Sequence, residues 1–151
     1  MANLVKTFLS KEDLSAVADA ITGVERRTSG EIRVAIRQKR AKKEQKLSVE
    51  QLARLEFARL GMMKTVERTG VLIFILLEAR EFFILADEHI NEKVGPLTWD
   101  GIARAMAESF AKAEFRNGLV VAVRSVGEHL VSHFPVRKGD TNELPNDVVL
   151  S

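Results

Sequence analysis

Hydrophobic positions along the chain change period several times, and each change marks an element. Leu14, Val17, Ile21 and Val24 recur at helical spacing, and Ser10 followed by Asp13 approximates a capping box, so an amphipathic helix is expected over residues 10–27. Thr28, Ser29 and Gly30 stop it. Ile32, Val34 and Ile36 then alternate with Arg33, Ala35 and Arg37, the period-two pattern of a strand with one polar face. Lys39, Arg40, Lys42, Lys43 and Lys46 follow without an apolar period and read as a solvated crossover loop. Ser48 with Gln51 forms a second capping box ahead of Leu52, Leu55, Phe57 and Leu60, and Gly61 is the expected helix stop.

The most hydrophobic run, from Gly70 to Leu77, is rich in branched and aromatic residues and suits a central strand buried on both faces. Glu78, Ala79 and Arg80 break it. The apolar pattern resumes in FFILAD, so the two runs predict an antiparallel hairpin. Pro96 stands near the start of a helix carrying Trp99, Ile102, Met106 and Phe110 on one face. A last helix is expected from about Arg116 to Phe134, with Leu119, Val123, Val126 and Leu130 inward and Pro135 as its end. Residues 136–151 show no clear period and are expected as a C-terminal tail to a domain over residues 1–135. The element order predicts a three-layer α/β/α sandwich around a small mixed sheet, with strands one and two parallel and strand three running back. That topology brings Asp87, Glu88 and Asn91 to the same sheet edge as Ser29, Gly30 and Glu31 and as Glu67, Arg68 and Thr69.

Composition narrows the chemistry. A chain of 151 residues with 46% hydrophobic and 29% charged residues has the size and make-up of one ordinary globular domain. A formal charge of +2 points to no particular partner, and the lack of cysteine excludes disulfides, thiolate nucleophiles and Cys-ligated zinc. No segment reaches the ~20 apolar residues of a membrane helix and no signal-peptide core is evident, so a cytoplasmic location is the expectation. Walker, dinucleotide and Gly-x-Ser-x-Gly motifs do not occur.

The polar cluster after the third strand is the main candidate site. Asp87, Glu88 and Asn91, with Asp100 or Glu31, supply the hard oxygen atoms that calcium or magnesium prefers. The competing reading is structural: Asp87 caps a short helix while Asn91 and Glu92 face solvent. Arg68 is a candidate anion ligand, or alternatively one half of an ion pair. The tail acids Asp140 and Glu143 are rival cation donors. His129 and His133 stand four apart, but Leu130 follows the first where a zinc peptidase needs glutamate, and both suit a helix C-terminus. The basic run over residues 39–46 lacks interleaved aromatics, so no nucleic-acid binding is expected from it. Trp99 reads as core packing rather than as a partner anchor.

Taken together, TSGEIRV, LGMMKTVERTGVLI, ADEHINEKVGPLTWD, EHLVSHFP and NELPND resemble the TPM-domain family over about Phe8 to Asp147. These are bacterial proteins of unknown function related to a thylakoid-lumen acid phosphatase and to photosystem II repair factors. The resemblance implies an α/β/α sandwich and calcium binding, with weak phosphatase activity in some relatives. Where the family has Gly-Asp-x-Gly-Ile-Asn, this chain reads Ala86-Asp87-Glu88-His89-Ile90-Asn91, with both glycines replaced. The expectation is a small binding or regulatory module, monomeric, with an unidentified protein partner and calcium or another divalent cation at the end of the third strand. The alternative is a metal-dependent phosphomonoesterase, with Arg68 holding the phosphate and Glu31 or Glu67 as general base.

Overall fold

The structure, a computed structural model, describes residues 4–64, 69–95, 97–136 and 145–151. A short helix α1, Leu4–Phe8, precedes α2, Lys11–Glu25. Helix α2 starts where the sequence indicates: the Ser10 side chain accepts from the Asp13 amide and Asp13 accepts from the Ser10 amide. Strand β1, Glu31–Arg37, is followed by α3, Val49–Arg59, whose reciprocal cap joins Ser48 and Gln51. Gly61 then turns the chain at φ +74°, the left-handed conformation that glycine adopts without steric cost. Strands β2, Gly70–Leu76, and β3, Glu81–Ala86, form the hairpin, and α4, Glu88–Val94, α5, Leu97–Ala111, and α6, Phe115–His133, complete the helices. Pro96, expected at the start of α5, lies outside the described residues.

With a fourth strand β4, Val149–Leu150, the sheet order is β3-β2-β1-β4, with β1 parallel to β2 and β2 antiparallel to β3. This is the mixed sheet and three-layer sandwich that the pattern predicts. On one face Ile32, Val34 and Ile36 of β1 and Val71, Ile73 and Ile75 of β2 pack against α2, α5 and α6. On the other, Ala35, Leu72, Phe74 and Leu76 meet Leu52, Ala53 and Phe57 of α3.

Three findings depart from the sequence reading. The alternation in β1 does not mark a solvated face: Glu31 and Arg33 are both buried, because the crossover helix α3 covers that side. The tail contributes a fourth strand, β4, Val149–Leu150, which pairs parallel with Ala35 and Ile36. Two residues carry no period, so the pattern could not reveal it. In α3, Leu55 points to solvent at 56% exposure while Glu56 is buried.

Candidate functional site

Strand register brings one row of residues to the end of the sheet where β1 and β2 begin. Glu31 pairs with Gly70, and the Gly70 carbonyl accepts from the Asp87 amide at 2.9 Å. By the alternation of the pleat, Glu31, Gly70 and Asp87 all belong to the face covered by α3. Ser29 joins the same rim, its amide donating to the Phe134 carbonyl at 2.9 Å. The topology therefore assembles the expected edge from Ser29, Glu31, Thr69 and Asp87. Arg68 and Glu67 lie outside the described residues, as do Asp140 and Glu143.

Side-chain chemistry divides the five expected cation ligands. Asp87 is buried and caps α4, its Oδ1 accepting from the Glu88 amide at 2.7 Å. Asn91 is occupied at both ends: its Nδ2 donates to the Ala86 carbonyl at 3.2 Å, and its Oδ1 accepts from Trp99 Nε1 at 2.8 Å. That bond anchors the buried indole of Trp99, which packs in the core as the sequence suggests. Glu88 and Asp100 are exposed. Among the described residues no group of three or more His, Cys, Asp or Glu is arranged to hold a metal ion. The five residues thus do not converge into one coordination shell. His129 stacks edge-on to Trp99 at 6.2 Å, whereas His133 is exposed in the last turn of α6. His89, at the second replaced glycine of the motif, lies edge-on to Phe134 at 5.2 Å.

One participant escaped the sequence reading. Glu25 ends α2, and its Oε2 accepts from the Ile32 amide at 2.9 Å. The need for this contact is topological. Strand β4 pairs with β1 at Ala35 and Ile36, so among the described residues the outward amide of Ile32 has no strand partner and the carboxylate takes that place. Burial pushes the Glu25 carboxyl up to about 8, opposed by the Ile32 amide and reinforced by the charge and hydrogen bonding of neighbouring Glu31. The two carboxyls are close enough for a proton held at Glu25 to bridge them. Burial pulls the Arg33 guanidinium down, while the charges of Glu25, Asp147 and Glu56 act in the opposite sense. No local sequence signal marks Glu25, because its role depends on a strand edge formed by the far end of the chain.

Residues 5–129 match the TPM domain. The chain belongs to the TPM domain family. Among solved structures, the TPM-domain chain resembles BA42 from the psychrophilic bacterium Bizionia argentinensis, with 35% identity and a TM-score of 0.85 over 95% of this chain and 96% of that one. The N-terminal domain of cg2496 from Corynebacterium glutamicum shares the fold at 15% identity, with a TM-score of 0.61 over 89% of this chain and 79% of that one. No curated protein matches the chain.

Proposed function

We propose that this TPM domain is a small non-catalytic binding or regulatory module that takes up a divalent cation weakly at Glu31. The observation that carries the reading is the Glu25–Glu31 carboxyl pair. Two adjacent carboxyls that hold a proton at neutral pH offer oxygen donors to any cation that displaces that proton. Asp87, across Gly70 on the same rim, adds a further carboxyl nearby while it caps α4. With two carboxylates from the chain and water completing the shell, calcium affinity falls in the weak range of roughly 10⁻⁴–10⁻³ M. Uptake releases a proton, so affinity rises between pH 7 and pH 8.5.

An amide-shift titration with calcium, magnesium and zinc tests this. The expected outcome is saturable movement at Glu25, Glu31 and Ile32, abolished by Glu31→Gln and weakened by Asp87→Asn. Shifts confined to residues 137–144, or calcium binding indifferent to Glu31→Gln, would overturn the reading.

A further inference from the structure

At the opposite end of the sheet, about 20 Å from the Glu31 row by strand rise, lies a cavity of about 350 Å³. It sits beside the C-terminal ends of β1 and β2, between the sheet and α1, α5 and α6. Crevices at the carboxyl ends of parallel strands are where open α/β sheets ordinarily receive ligands. Its volume falls at the lower end of the range of small-molecule sites.

The walls are apolar and largely aromatic. Phe8, Phe82, Phe110 and Phe115 all line the cavity and touch one another in sequence. Phe8 meets Phe115 at 4.8 Å, Phe115 meets Phe110 at 5.6 Å, and Phe110 meets Phe82 at 5.7 Å between ring centroids. These rings come from α1, β3, α5 and α6, so the wall is a product of the fold and not of one segment.

Among the described residues, charge enters only through Arg80 and Glu81. Glu81 is neutralised by an ion pair with Arg40 at 3.1 Å. Arg80 is exposed, and among the described residues no carboxylate pairs with it. Glu78 is exposed in the same turn but lines no part of the cavity. Arg80 also has φ +55°, a position in the Leu77–Arg80 turn where glycine would be strain-free. A charged side chain is thus held at the cavity's edge despite an unfavourable backbone.

We propose that this cavity binds a medium-chain carboxylate, with the hydrocarbon chain against the four phenylalanines and the carboxylate at the Arg80 guanidinium. At roughly 30 Å³ for each water-sized group, the space accommodates about twelve non-hydrogen atoms, enough for octanoate. The guanidinium fork matches a carboxylate, and the apolar wall rewards each buried methylene. This inference is independent of the cation reading, because the two sites share no residue and lie at opposite sheet ends.

The test is titration of the ¹⁵N-labelled full chain with octanoate below its micellar concentration, with octan-1-ol as the neutral comparator. Saturable shifts at Phe82, Phe110 and Phe115 are expected, with octanoate about tenfold tighter than octanol. Arg80→Gly should remove that preference and leave octanol binding unchanged, while thermal stability is retained or raised because the turn loses its strain. Ala107→Phe, which fills the cavity from the exposed side of α5, should weaken both ligands at least tenfold. Absence of saturable shifts, shifts spread over the exposed Leu55, Leu97 and Val121, or equal losses of octanoate and octanol in Arg80→Gly would each overturn the proposal.

Discussion

Glu25 shows how one side chain can link a strand edge to the pH dependence of the whole protein. Its folded value of about 8 lies above the ordinary 4.5 because burial disfavours the carboxylate. Below pH 4.5 the group is protonated in both folded and unfolded chains, so its stabilising contribution is complete. Between those values the folded protein holds a proton that the unfolded chain has lost, and that stability is given up as pH rises towards 8. Glu25→Gln keeps an oxygen for the Ile32 amide and supplies N–H groups towards Glu31 without titrating. In chemical denaturation, wild type should lose of order 1–2 kcal/mol relative to this variant between pH 5 and pH 8.5, after discounting for partial water contact. Identical pH slopes for the two proteins would place the buried proton elsewhere.

At the scale of elements, α2 approaches α6 closely at Gly127. A Cβ there would stand 2.5 Å from Cγ2 and 2.7 Å from Cγ1 of Val24. Val24 is buried and β-branched, so it has little rotamer freedom in a helix with which to yield. Alanine would gain up to about 1 kcal/mol in helix propensity, whereas overpacking costs about 1–3 kcal/mol. The steric effect is expected to win. Gly127→Ala should lower unfolding free energy by about 1–2 kcal/mol, read as a shifted denaturant midpoint with an unchanged slope. A stabilised variant would mean that α2 and α6 separate freely.

For the molecule as a whole, the two ends of the sheet differ in chemistry. One carries buried carboxyls and the α4 cap, the other an aromatic cavity edged by an arginine that no carboxylate pairs with among the described residues. At the acidic end Asp87 is engaged as a helix cap and Asn91 as a bridge between Ala86 and Trp99. Carboxylates next to an incoming phosphate are repulsive unless a metal offsets them. Hydrolysis of a generic phosphomonoester such as p-nitrophenyl phosphate should therefore be absent or very slow with added calcium or magnesium. Robust metal-dependent turnover, abolished by chelator and by Asp87→Ala and Arg68→Ala, would replace the binding-module reading with an enzyme.

Much of this protein follows from its sequence. Capping boxes at Ser10 and Ser48 specify two helix starts because their hydrogen bonds are local. The unbroken apolar run of β2 specifies a doubly covered strand, and its hairpin with β3 fixes which sheet edge receives Asp87. Other features depend on contacts distant in the chain. Arg33 and Glu31 are buried because α3 crosses their face, although their alternation alone describes a half-exposed strand. Strand β4 is too short to have a period and exists through its pairing with Ala35 and Ile36. Glu25 meets the Ile32 amide where β4 stops short of it and owes its raised proton affinity to burial in the folded chain, and the four phenylalanines become a cavity wall only when α1, β3, α5 and α6 meet. Local hydrogen bonds and hydrophobic period are written in consecutive residues, whereas burial, proton affinity and cavity shape are set by which distant surfaces come together.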